Sequence, residues 1–337
     1  MDPVQTPYPT ITLANTGLPD ITQILRNGNS ELSVPSQFIQ GKCGRIHYRS
    51  YLPTMHTPAK ATIVAFHGAA HNGAFYHDMG VQAAQVGFAF HAFDLPGHGR
   101  SYWNSDGDRY SYDGLSDEVI YVTKEVTQQP TTNLGYIGSS LGGQLLMIAA
   151  DKGTQFGAVV LNDIGPKISG YVHSFVVAGF DSIEYKPVND MAKEAAKRYA
   201  YYGLQQTIGT VEFIAESLVM CESASHARYK LDPKFSALYR DLVDNTSYGD
   251  SSDSYISPEG QVFIGSDLSR GFDAITAPMM MLRGAESKFF TPEQRDAILM
   301  RAVPPKLIEV ANVKHPVGLS DVALNTTILN FFEQRLG

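Results

Sequence analysis

The ten residues Gly135 to Gln144, Gly-Tyr-Ile-Gly-Ser-Ser-Leu-Gly-Gly-Gln, restrict what this chain can fold into more than any other stretch. Leu134 to Ile137 is apolar enough for a buried strand, and Gln144 to Ala150 reads as a helix packed against it. Between them, Gly138-Ser139-Ser140-Leu141-Gly142 fits G-x-S-x-G, the pattern of a sharp strand-to-helix turn that carries a nucleophile. Such a turn strains the backbone of its middle serine and leaves no room for side chains at the flanking glycines. It would present the Ser140 hydroxyl at the helix N-terminus, with the Leu141 N–H aimed at the same space. Ser140 is therefore the expected nucleophile. An ordinary glycine-rich turn is the plain alternative. A phosphate cradle is not, because no Lys-Ser/Thr follows the glycines and the spacing does not give G-x-G-x-x-G.

The rest of the chain supplies the sheet that such a turn needs. Ala61 to Phe66, Phe88 to Phe93, Ala158 to Leu161, Met279 to Leu282 and Leu307 to Val310 are short apolar strands. Helical patterns run from His77 to Val86, Asp113 to Gln128 and Val322 to Gln334, and Phe38 to Leu52 alternates like a β-hairpin. Strands alternating with helices call for an α/β fold with a mainly parallel sheet and helices on both faces. Between 165 and 274 the alternation stops. Helical stretches such as Met191 to Tyr202 and Val211 to Met220 dominate there, many aromatics appear, and Asp244 to Asp253 reads as a polar loop. The expected organisation is an extended N-terminal arm over 1–32, an α/β core over 33–164 and 275–337, and a helical cap inserted over 165–274.

Composition narrows the partners. A net charge of -8 argues against nucleic acid or an anionic membrane as the main partner. No stretch approaches roughly 18 uninterrupted apolar residues, so no stable membrane insertion is expected. Two cysteines make no disulfide framework. The opening Met-Asp-Pro-Val-Gln-Thr-Pro lacks a basic region followed by an apolar core, which makes a cytoplasmic location the default expectation.

His67-Gly68-Ala69-Ala70 follows directly on the first strong strand. An His-Gly turn there would point the Ala69 N–H above the sheet, a second oxyanion donor beside that of Leu141. His67 itself reads as a structural histidine holding the turn. His67 and His71 could also pair on a metal, but no carboxylate or third histidine stands at suitable spacing, and no metal or other cofactor is expected. The loop Asp94-Leu95-Pro96-Gly97-His98-Gly99-Arg100-Ser101 reads as a knitted, structural turn.

Strand-His-Gly, then Asp-x-x-Gly-His-Gly-x-Ser, then Gly-Ser-Ser-Leu-Gly-Gly, in that order, resembles the α/β-hydrolase superfamily over about residues 40 to 337. Phe66-His67-Gly68 with His71 and Tyr76 is also similar to its monoacylglycerol lipase and esterase branch. Leu161 to Pro166 and Leu282 to Ser287 resemble a bacterial branch of hydrolases without assigned substrates. The resemblance implies a general base after the last strand, where Val313-Lys314-His315-Pro316 stands, and so His315. It also implies an Asp shortly after the strand ending at Gly284, but this chain has Ser287 and Lys288 there, and a lysine cannot stabilise an imidazolium. Asp163, just after the strand Ala158 to Leu161, is the preferred acid, because some branches of the superfamily place theirs at that point. Glu286 is the alternative.

A serine nucleophile excludes an alkyl-enzyme route through an aspartate and fits an acyl-enzyme. The expected reaction is hydrolysis of a carboxylic ester of a hydrophobic substrate. Hydrolysis of a C–C bond in a β-diketone or ring-cleavage product is the runner-up, and a non-catalytic ligand receptor on the same fold is the reading from another class.

Overall fold

The computed structural model describes residues 36–54, 58–104, 110–205, 207–221, 223, 225–240 and 248–337. The expected arm over 1–32 lies outside the described residues.

The hairpin comes first: β1 (Ser36–Gln40) pairs antiparallel with β2 (Arg45–Tyr51). The strands β3 (Thr62–Phe66), β4 (Ala89–Phe93), β5 (Leu134–Ser139) and β6 (Ala158–Asn162) are buried along their whole length. That is why they read as unbroken apolar runs without alternation: helices cover both faces of a parallel sheet. The inserted segment contributes β7 (Lys167–Ile168), β8 (Lys186–Pro187), β9 (Leu218–Met220), β10 (His226–Tyr229), β11 (Gly249–Ile256) and β12 (Val262–Asp267). Then β13 (Met279–Gly284) and β14 (Lys306–Val310) return to the main sheet.

The main sheet has eight strands in the order β1-β2-β4-β3-β5-β6-β13-β14, parallel from β4 to β14. The helices His77–Gln85, Tyr112–Thr127, Leu141–Asp151 and Val322–Leu336 lie close to their expected positions. In such a sheet, loops at the carboxyl ends of the strands form the ligand crevice. Ser139, Asn162, Gly284 and Val310 end β5, β6, β13 and β14, so the loops that follow them share that edge.

The segment between β6 and β13 is mixed where a mainly helical one was expected. It holds the helices Gly170–Asp181, Val188–Ala200 and Ile208–Glu216 together with two three-stranded sheets, β8-β10-β9 and β11-β12-β7. The polar run expected as a loop is in part β11, whose exposed side chains hide a ladder with β12. The segment is fastened to the core by buried charge. Glu212 of the helix Ile208–Glu216 pairs with Arg49 of β2 and with His77, and Glu216 of the same helix pairs with Arg100. Among the described residues, no helix is long and apolar enough to cross a membrane.

Candidate active site

Ser140 stands between β5 and the helix Leu141–Asp151 with φ 49° and ψ -114°, a strained conformation that the turn enforces. Its own N–H donates to Asn162 O at 3.0 Å, and its carbonyl accepts from Gln144 N at 3.0 Å. The tightness explains the glycine at 142: a Cβ there would lie 2.1 Å from the carbonyl oxygen of Phe66 on the adjacent strand. Ser140 is 7% exposed, so its hydroxyl opens onto a nearly closed space rather than a free surface.

The imidazole of His315 bridges this serine and Asp163. His315 Nε2 lies 2.8 Å from Ser140 Oγ, and His315 Nδ1 lies 2.9 Å from Asp163 Oδ2. Asp163 is fully buried, and its other oxygen accepts from Gly284 N at 3.1 Å. Its backbone is left-handed, φ 55°, a conformation Asp tolerates better than most residues. That turn, tied by Asp163 N to Leu282 O at 2.9 Å, swings the carboxylate from the end of β6 toward the loop after β14. Glu286, the other acid considered, is exposed and is joined to the 313–315 loop through its N–H, which donates to Val313 O at 2.9 Å. Ser287 is buried where the usual acid was missed, and its hydroxyl oxygen accepts from the N–H groups of Phe289 and Phe290.

Two backbone turns stand beside the serine. Leu141 N–H is the first amide of its helix and has no intrahelical acceptor. Ala69 follows Gly68, whose Cα faces the serine: a Cβ on Gly68 would lie 3.1 Å from Ser140 Cβ and 3.4 Å from His71 Nδ1. His67 has the structural role expected of it. Its Nδ1 donates to Gly68 O at 2.8 Å and its Nε2 accepts from Leu95 N at 2.9 Å, so neither nitrogen is free for a metal. Burial pushes the His67 imidazole down to about 4, against the opposing pull of Asp94. The loop after β4 is knitted as expected: Asp94 accepts from Gly73 N, Arg100 N and His47 Nδ1 at 2.7 to 2.8 Å.

Three features of the site were not anticipated. The first is a buried relay beneath the serine. Asn162 donates from Nδ2 to Ser139 Oγ at 2.9 Å and to Val317 O at 2.8 Å, and Tyr76 Oη lies 2.7 Å from Ser139 Oγ. It ties the elbow to the loop that carries His315. The second is the position of His71, packed among Phe75, Tyr199, Tyr202 and Phe213. Burial and the Arg198 guanidinium hold its imidazole well below the usual histidine range. The third is Phe289, whose ring lies flat on His315. His71 and Tyr76 were visible as part of a pattern, but no spacing rule announces the other contacts. The inserted segment reaches the same place: Tyr201 O accepts from Lys314 N at 3.0 Å and Tyr202 O from Gly318 N at 2.6 Å, on either side of His315.

Comparison with known proteins agrees with this architecture. A family model described as serine aminopeptidase, S33, matches residues 57–175. The chain is similar to a 3-hydroxybutyrate-oligomer hydrolase of Cupriavidus necator, with 23% identity over 71% of this chain and 77% of that protein. Among solved structures it is similar to an α/β hydrolase of Novosphingobium aromaticivorans, at 18% identity and a TM-score of 0.68 over 89% of this chain and 98% of that one. It is also similar to an esterase of M. tuberculosis, at 19% identity and a TM-score of 0.61 over 94% of this chain and 100% of that one. Its sheet order and its strand-to-helix turn at Ser140 give the chain the α/β-hydrolase fold of those solved structures, with residues 57–175 matching the serine aminopeptidase, S33, family model.

Proposed function

We propose that the chain is a serine hydrolase that cleaves a carboxylic ester of a hydrophobic substrate through an acyl-enzyme. The observation that carries this reading is the continuous hydrogen-bonded line from Ser140 Oγ through His315 to Asp163, at 2.8 and 2.9 Å. Each distance lies within the reach that proton transfer needs. In the first step His315 Nε2 takes the Ser140 proton as the oxygen attacks the carbonyl carbon. The developing oxyanion is held by the N–H groups of Leu141 and Ala69, a pair of which one member alone is worth about 100- to 1000-fold in rate. The imidazolium, held in place by Asp163, returns its proton to the leaving alkoxide. Water then attacks the acyl-enzyme with His315 again as base, releasing the acid and restoring Ser140.

Residues 165–274 serve in this reading as a cap that shapes the substrate pocket. Its aromatic side chains Tyr202, packed on His71, and Phe175, packed on Phe289, favour an apolar acyl chain or ring. The names of an oligomer hydrolase and an esterase among the similar proteins favour an ester over a C–C bond. The test is a hydrolysis panel of p-nitrophenyl esters from acetate to decanoate, 3-hydroxybutyrate oligomers and a β-diketone, run with wild type and Ser140→Ala. Ester turnover that vanishes in Ser140→Ala is the expected result. Turnover of the diketone alone would move the assignment to C–C hydrolysis, and no turnover of any kind would favour a binding role.

A further inference from the structure

The reaction as described uses three edges of the site and leaves one face of its base unexplained. Phe289 stacks on the imidazole of His315 with ring centroids 3.7 Å apart and planes 4° from parallel. Its loop follows β13, where the superfamily resemblance implied an acid. With Asp163 supplying the carboxylate from β6, that loop instead turns on Ser287, whose hydroxyl oxygen accepts from Phe289 N at 3.2 Å and Phe290 N at 3.3 Å. Phe290 is fully buried, and its carbonyl accepts from Arg283 Nε at 2.8 Å, so the turn is anchored beside the stacked ring. Phe175, from the helix Gly170–Asp181, meets Phe289 edge-on with centroids 6.3 Å apart and an interplanar angle of 82°. The ring is thus set from the core and braced from the inserted segment.

A stacked ring acts on the base in a way that a hydrogen bond cannot. Both ring nitrogens of His315 are committed, Nδ1 to Asp163 and Nε2 to Ser140, and a contact normal to the imidazole plane competes with neither. It restrains tilting of that plane, which would break both bonds together. The aromatic face also carries negative charge density, which attracts a cation more than a neutral ring. We propose that Phe289 is a positioning residue for His315, fixing the plane of the imidazole and stabilising the imidazolium formed at each proton transfer. This rests on the reading of Ser140 as nucleophile and His315 as base. The other charged or titratable groups facing His315 are Asp163, the neighbouring Lys314, whose ammonium lies 4.1 Å from the centroid of the Tyr201 ring, and His71 across the site.

The test separates the aromatic face from mere apolar cover. Phe289→Leu keeps the cover and removes the face, whereas Phe289→Tyr keeps both. With p-nitrophenyl butyrate, Phe289→Leu should lower kcat about two- to five-fold with little change in KM. The acid limb of its kcat/KM profile should move to lower pH by about 0.4 to 0.7, because the imidazolium has lost a stabilising partner. Phe289→Tyr should match wild type in both respects. Histidine-selective NMR titration of His315 in the same three proteins reads the same displacement without any turnover. If wild type neither hydrolyses esters nor reacts with a fluorophosphonate, the serine-hydrolase reading fails, and the NMR titration still decides the role of Phe289. A Phe289→Leu protein with an unmoved His315 titration overturns the proposal, as does a loss confined to KM or a Phe289→Tyr protein as impaired as Phe289→Leu.

Discussion

Replacing Asp163 with Asn probes the least usual part of the site. The carboxylate is fully buried and accepts two hydrogen bonds, from Gly284 N–H through Oδ1 and from His315 Nδ1–H through Oδ2. Asparagine has one acceptor oxygen and one donor nitrogen, so it cannot satisfy both donors. If its oxygen keeps the Gly284 bond, its NH2 faces Nδ1, and the imidazole must carry its proton on Nε2 instead. That tautomer points N–H at Ser140 Oγ and cannot take the serine proton. If the amide flips, the Gly284 N–H is left facing a donor in a buried site, which costs about 1–3 kcal/mol of stability. Either way the imidazolium loses its charge partner. The expected loss in kcat is about ten-thousand-fold, or about 5.5 kcal/mol, as for the equivalent change in another serine hydrolase. The assay is kcat and KM on p-nitrophenyl butyrate beside a thermal melt, with Glu286→Gln as the companion. The companion should retain most activity, since Glu286 is exposed and Asp163 already holds Nδ1. A folded Asp163→Asn protein within tenfold of wild type, with Glu286→Gln inactive, would refute the reasoning.

Three further outcomes follow from the same geometry. Gly142→Ala should fail to fold or lose more than about 3 kcal/mol, because its Cβ would sit 2.1 Å from a backbone oxygen of β3 and neither element can yield, as soluble expression and a urea melt would show. Asn162→Leu should cost about 3 kcal/mol by leaving Val317 N–H and C=O unpaired, and should lower kcat about tenfold as the His315 loop loosens; unchanged kinetics would remove the relay from the account. The fold should also be acid-labile earlier than its carboxylates suggest. Burial holds His67, His91 and His173 down at about 4 and His98 at about 3. Below pH 6.5 the unfolded chain binds protons at these sites that the folded chain does not, so stability falls as pH falls from 6.5 toward 4. At about 1.4 kcal/mol per histidine per pH unit, the four together approach a limiting slope of about 5.6 kcal/mol per unit. The depressed carboxylates Asp94 and Glu212 add their loss only below about pH 4.5. A melting temperature that drops steeply between pH 6.5 and 5 is expected, and one that stays flat to pH 4.5 would contradict the burial argument.

Much of the core was legible because each of its elements announces itself locally. Five buried strands read as short apolar runs, and the turn at Ser140 needs small residues at fixed offsets that only a G-x-S-x-G pattern supplies. Lys288 leaves a chemical gap that made Asp163 the preferred acid in the sequence, and Asp163 Oδ2 lies 2.9 Å from His315 Nδ1. What stayed hidden depends on distant partners. The strand β11 carries the polar run Asp250, Ser251, Ser252 and Asp253 across a break in its register with β12, where Asp250 faces Gly265 and Ser254 faces Ile264, and no local pattern separates that from a loop. The pairing of Arg49 with Glu212 joins residues 163 positions apart, and burial of two charges cannot be inferred from either alone. Phe289 looks like any core aromatic in sequence. Its contact with His315 exists only because two loops, after β13 and after β14, meet at one edge of the sheet.

Reaction with a fluorophosphonate followed by peptide mass spectrometry shows directly whether Ser140 is an activated nucleophile. A single stoichiometric adduct on Ser140 is expected, absent in Ser140→Ala and formed far more slowly in His315→Ala. No adduct under conditions that label a known esterase, or an adduct on Ser139 or elsewhere that survives Ser140→Ala, would contradict it.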